Sequence, residues 1–218
     1  MGRITIDQSH SILATLAMNV NWEEVDFEGA RLQDLVIRNP KEAGQQFTAF
    51  LKNGGRVVMA NNFQIWKTIK LGTCSSADVL SQALQVGDFR IGDRGKDILG
   101  KPAFKVSPKE TSIELVNISV AELGFKDGAT RKDIYERAIS LGLELCPNEV
   151  GPQLRLQYKD QPGGEWLRIA MEPIAGSNGD LYVFDVALID GGLWVFGYYG
   201  NPGSFWYGLN RWVFARRK

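Results

Sequence analysis

The chain has 218 residues, 44% hydrophobic and 23% charged, a balance that supports a packed core and excludes a wholly disordered chain. Lys plus Arg equals Asp plus Glu at 25 each, so the broad basic footprint of an obligate nucleic-acid binder is absent. No apolar run approaches the roughly 20 residues that span a bilayer, so no membrane partner is expected, and cytoplasmic is the expected location.

This length suits one large domain or two small ones. The expected division is a helical N-terminal segment over residues 1–60 and an α+β domain over 61–218. Phe27–Ile37 carries Ala30, Leu32, Leu35 and Val36 at loosely helical spacing. A second helix is signalled by Asn39 as cap, Pro40 at the first helical position and Glu42 closing a capping box. Its apolar stripe is Ala43, Phe47, Phe50 and Leu51, and Asn53-Gly54-Gly55 ends it.

Arg56–Ala60 and Ile65–Leu71 read as strands. Ser76 opens a short helix that Gly87 closes, and another is expected over Asp93–Leu99. Ser112–Val120, rich in Ile and Val, reads as a strand. Thr130 caps a helix with Asp133 in its first turn and Ile134, Ala138 and Leu141 on one face. From Gln153 the period changes to two, because Leu154, Leu156 and Tyr158 alternate with Gln153, Arg155 and Gln157. Trp166–Glu172 follows as a strand. Leu181–Ile189 and Leu193–Tyr199 form a hairpin through Asp190-Gly191-Gly192, and Arg211–Arg216 is the last strand. The fold class expected is α+β: helices and short strands, then an antiparallel β-meander of about five strands.

Several segments look familiar: Val120–Phe125, Ile134–Ala138, Leu143–Pro147, Glu149–Tyr158 and Gly164–Pro173. Together they resemble a family of uncharacterised bacterial proteins of unknown function. The likeness runs from about Asn39 to the C-terminus and is densest over 120–173. It implies a bacterial or metagenomic origin and a fold of this general size. It carries no activity, so no functional residue is transferred through it.

Familiar chemistries find little purchase. Gly92-Asp93-Arg94-Gly95-Lys96-Asp97 is too short for a phosphate loop, and Asp97 stands where a hydroxyl is needed; it reads as a plain helix start. No GxGxxG follows a strand. The one histidine, His10, and two distant cysteines, Cys74 and Cys146, give no metal-ligand spacing, so no metal and no cofactor is expected. Both cysteines read as reduced thiols. Residues 64–105 carry seven basic against four acidic side chains, a bias that a solvated face explains equally well.

Two candidate surfaces remain. Glu149, Glu165, Glu172 and Asp185 fall in or near the expected sheet, with Arg155 and Arg168 read as mid-strand. They form either the wet face of an antiparallel sheet or the polar floor of a cleft, with the arginines holding an anion and a carboxylate acting as base. The second surface is aromatic. Trp194, Phe196 and Tyr198 alternate along one strand, and Trp212 and Phe214 along another, and both sets read as core. Between them, Phe205, Trp206 and Tyr207 sit in a loop rich in Gly, Pro and Asn. That loop either folds back as a lid or offers a stacking surface to a sugar, a nucleobase or a partner protein. Two functions follow. One is a binding or interaction module using the C-terminal sheet and aromatic loop. The other is a small hydrolase or transferase with a carboxylate–arginine cleft, acting on a phosphorylated or nucleic-acid substrate.

Overall fold

The computed structural model describes residues 63–217, the helix α1 (Pro40–Lys52) and positions 10, 13, 14 and 18. The expected helix at Phe27–Ile37 and strand at Arg56–Ala60 lie outside the described residues. Contacts divide the chain into two units, Met1–Val57 and Val58–Lys218. Helix α1 belongs to the first; everything below concerns the second.

The second unit runs β1 (Lys67–Leu71), α2 (Ala77–Val86), β2 (Arg90–Ile91), α3 (Asp93–Leu99), β3 (Thr111–Ser119), β4 (Ala129–Thr130), α4 (Arg131–Ser140), β5 (Leu143–Glu144) and α5 (Val150–Gln157). Then come β6 (Trp166–Ile169), β7 (Ile174–Ala175), β8 (Leu181–Ile189), β9 (Gly192–Tyr199), β10 (Phe205–Trp206) and β11 (Arg211–Arg216). The caps behave as their chemistry dictates. The Ser76 hydroxyl accepts from the Val79 amide (3.2 Å) and the Thr130 hydroxyl from the Asp133 amide (3.3 Å), each satisfying an amide the helix leaves free.

The class is α+β, but the sheet is not a five-strand antiparallel meander. Nine strands of the described residues form one mixed sheet in the order β1-β3-β11-β6-β8-β9-β2, with β5 on β11 and β7 on β8. Two pairings are parallel, β11 with β6 and β2 with β9. A separate two-stranded ladder joins β10 to β4. Of the meander, β6, β8 and β9 remain adjacent and antiparallel in chain order, with β7 also antiparallel on β8, and β8–β9 closes as a hairpin. Its two-residue turn, Asp190-Gly191, has φ of 47° and 69°, the pairing of left-handed residues that matches strand twist.

The second departure is α5. The alternation from Gln153 to Tyr158 predicts a strand, yet Val150–Gln157 is a helix. Pro152 occupies its first turn, where a missing N–H costs nothing. The polar residues between the leucines are buried, not solvated: Gln153 and Arg155 are both 0% exposed. Alternating polarity therefore did not mean alternating faces.

Both sheet faces are covered in part. Strand alternation puts Phe184 and Asp185 on opposite faces. On the Phe184 face, Gly151 of α5 lies against the Phe184 ring, and Gly95 of α3 against the backbone of Val195–Gly197. Leu80, Leu84, Ile98 and Leu154 fill that layer at 0% exposure. On the Asp185 face, α4 sets Tyr135 edge-on to Trp212 (5.5 Å) and Phe214 (6.0 Å). The Tyr135 hydroxyl donates to the Met171 carbonyl (3.0 Å) and accepts from the Met171 amide (3.1 Å), which fixes α4 to the sheet. Among the described residues of this unit, no helix covers the part of this face carried by β6, β8 and β9.

Candidate functional site: an aromatic and arginine face on the sheet

Register decides which side chains meet. Trp166 pairs with Ala187 and Arg168 with Asp185; Ala187 pairs in turn with Trp194, Asp185 with Phe196 and Val183 with Tyr198. Paired residues share a face, so Trp166, Arg168, Trp194, Phe196 and Tyr198 stand together. Ala187 is small, and the rings of β6 and β9 close over β8. Trp166 stacks on Phe196 at 5.7 Å with 18° between planes, and Trp194 stacks on Phe196 at 4.8 Å with 9°. The result is a three-ring ladder with Phe196 in the middle. At one end the Arg90 guanidinium lies 5.4 Å from the Trp194 ring, a cation–π contact. The other end is Trp166.

Beside the ladder lies Arg168, 8% exposed. Its guanidinium is held between the Trp206 ring (4.5 Å) and the Tyr198 ring (5.6 Å). It makes no hydrogen bond among the described residues, and its Nε is fully enclosed. Asp185, with no exposure, places Oδ2 3.7 Å from that Nε, beyond hydrogen-bond reach. Neither carboxylate oxygen has a hydrogen-bond partner among the described residues. Burial pushes the Asp185 carboxyl up to about 7, outweighing the pull of Arg168.

Two depressions flank the ladder. One, of about 460 Å³, is lined by Glu165, Trp166, Arg168, Tyr198, Asn210 and Arg211 among others. The second, of about 580 Å³, includes Ile91, Arg94, Trp194 and Phe196 and shares Trp166 and Tyr198 with the first.

The candidate residues read from the sequence do not all converge here. Arg168 and Asp185 do. Arg155 does not: it sits on α5, not in a strand, so it lies on the Phe184 face. Its guanidinium donates to Gln161 Oε1 and to the carbonyls of Ala187 and Tyr158, and burial lowers it to about 10. Glu149, 1% exposed, accepts from the Gly72 and Ser107 amides and from Gln153 Nε2, each at 2.8 Å. Its oxygens are spent on tying loops together. Glu172 is exposed. The cleft of Arg155, Arg168 and a carboxylate base is thus corrected to Arg168 and Asp185, with Glu165 lining the adjoining depression.

The aromatic loop splits. Trp206 is 5% exposed and packs edge-on against Trp212 (5.2 Å, 83°). Phe205 and Tyr207 point outward at 54% and 69% exposure. Trp212 and Phe214 are core as expected, at 0%, whereas Trp194 and Phe196 are only half-buried and Tyr198 is 36% exposed. Sequence reading missed Trp166 as a site residue. The available signal was the Trp166-Leu167-Arg168 alternation, which sets a ring and a cation on one face just as Trp194-Val195-Phe196 sets two rings.

The phosphate-loop-like segment is the β2–α3 junction. Asp97 accepts from the Ser177 amide and hydroxyl and pairs with Lys101 (2.9 Å), an anchoring role. No group of three or more His, Cys, Asp or Glu close enough to hold a metal occurs among the described residues. No helix of the described residues is long and apolar enough to cross a membrane. Comparison with protein-family models, curated proteins and solved structures gave no match.

Proposed function

We propose that this chain is a binding module whose contact surface is the Asp185 face of β6, β8 and β9 with the adjoining 199–210 loop. The observation that carries the reading is the half-buried ladder Trp166–Phe196–Trp194 beside Arg168, a guanidinium lining a depression without a hydrogen bond. Rings offer stacking area, and a guanidinium offers a fork of N–H donors. These are recognition groups, and the expected ligand classes are a nucleobase, a carbohydrate or a protein.

The hydrolase or transferase reading draws on Arg168 with Asp185, or with Glu165, whose Oε2 already accepts from the Tyr158 hydroxyl. Asp185 is wholly enclosed, so as folded it cannot reach a substrate proton, which a general base must do. The binding reading is therefore preferred. Its test is a ligand panel of nucleotides, neutral oligosaccharides and peptides followed by tryptophan fluorescence. At least one class should quench the signal, and Trp166→Ala should abolish the quench while the fold still melts cooperatively. A panel with no binder, or a binder indifferent to Trp166, would remove the reading.

A further inference from the structure

Among the described residues, the ring ladder has one occupied end and one free end. Arg90 covers Trp194, so a further flat ring can extend the stack only on Trp166. Among the described residues, Trp166 has no ring partner besides Phe196. Trp166 and Arg168 stand two residues apart on one strand face and line the same depression. Its volume of about 460 Å³ lies within the roughly 300–1,000 Å³ of small-molecule sites.

Arg168 supplies an independent demand. A guanidinium this buried normally has its donors paired, yet this one makes no hydrogen bond, and Nε is sealed without a partner. Asp185 stops at 3.7 Å. Its terminal nitrogens are not among the enclosed atoms, so an anion can meet them from the depression side, and a planar fork fits a phosphate. Two neighbours add donors and acceptors. Asn210 uses Oδ1 for the Tyr207 amide, leaving its amide N–H groups to donate. Glu165 uses Oε2 for the Tyr158 hydroxyl, leaving Oε1 to accept. Arg211 is already engaged by Asn117 and Glu122 and is the weaker second cation.

Resting on the binding-module reading, we propose that this depression is a mononucleotide site, the base stacking on Trp166 and the phosphate taken by the Arg168 guanidinium. A single nucleotide is favoured over a strand. Strand binders track the backbone with a positive groove, whereas this chain has zero formal net charge and this depression holds one buried fork, Arg168.

The test uses the intact chain and titrates adenosine monophosphate, adenosine, inorganic phosphate, a neutral oligosaccharide and an oligothymidine single strand, read by tryptophan fluorescence and calorimetry. The monophosphate should bind at least about tenfold more tightly than adenosine. Trp166→Ala should weaken the monophosphate by about tenfold to a hundredfold. Arg168→Lys keeps a cation opposite Asp185 but loses the fork, and should bring monophosphate and nucleoside close to parity. The nucleoside comparison needs no variant, so it stands even if a substitution unfolds the chain. Equal affinity for adenosine and its monophosphate would overturn the site, as would binding indifferent to Trp166 or seen only with the strand. Binding of the oligosaccharide with none of the nucleotide would overturn the nucleotide assignment and leave the binding face standing; silence from every probe would sink both.

Discussion

Arg168 and Asp185 face each other across β6 and β8 with 3.7 Å between Nε and Oδ2, and neither makes a hydrogen bond among the described residues. Such a pair is held by its surroundings. Trp206 and Tyr198 sandwich the cation, and Phe196 neighbours the acid across β9. Where desolvation outweighs attraction, the acid escapes by keeping its proton.

That escape has a sign. The Asp185 carboxyl moves from 3.8 up to about 7, so between those values the folded state holds a proton that the unfolded state has released. Its contribution to stability is full below about pH 4 and is lost as pH rises through about 7. Asp185→Asn mimics the neutral acid and removes the dependence. In urea unfolding, the variant should gain on the parent between about pH 4 and pH 7, by an order of a few kcal/mol. Parallel stability curves would show that Asp185 is already ionised in the fold.

Arg155 and Arg168 should behave as opposites. Arg155 ties α5 to Gln161 and two carbonyls, so Arg155→Ala strands a buried network and should cost about 3–5 kcal/mol. It lies on the far face and should leave ligand affinity unchanged in whatever protein still folds. An Arg155 variant of normal stability with weakened binding would reverse the assignment of faces.

These two arginines also mark how far the sequence reached. Ser76 and Thr130 announced their helices because capping is local chemistry. Arg168 and Asp185 were visible as polar residues inside apolar strands. Arg155 was misplaced because α5 is buried on nearly all sides, so its polar residues gave no facial signal. The parallel pairing of Val213 with Ile169 joins distant segments and leaves no trace in either one's periodicity. The ladder depends on that kind of information: Trp166 meets Phe196 only because the register sets Ala187 between β6 and β9.

The two thiols are free and differ in reach. Cys74 is half-buried, while Cys146 is enclosed and donates to the Val213 carbonyl at 3.4 Å, with burial driving its thiol well above the usual range. Since the thiolate is the reactive form, a thiol reagent should label Cys74 in the native protein and Cys146 only after denaturation. Rapid native labelling of both would mean that the β11 region opens readily.

The aromatic loop offers a test in which neighbours in sequence give opposite answers. Trp206 is buried against Trp212 and over Arg168, so Trp206→Ala should cost about 3–5 kcal/mol, as large aromatic deletions in cores do. Its indole N–H has no hydrogen-bond partner, so Trp206→Phe should recover much of that loss by removing an unsatisfied donor while keeping a ring over the guanidinium. Phe205 and Tyr207 are more than half exposed and touch each other edge-on at 5.6 Å. Alanine at either should change stability by about 0.5 kcal/mol or less. Those two variants then report on binding without the confusion of misfolding. If Tyr207→Ala leaves nucleotide affinity intact, the contact surface ends at Trp166 and Arg168. If it weakens binding with unchanged melting, the outer rings of the loop belong to the contact surface as well. Equal thermal shifts for alanine at positions 205, 206 and 207 would contradict the burial of Trp206, and with it the sandwich that holds Arg168.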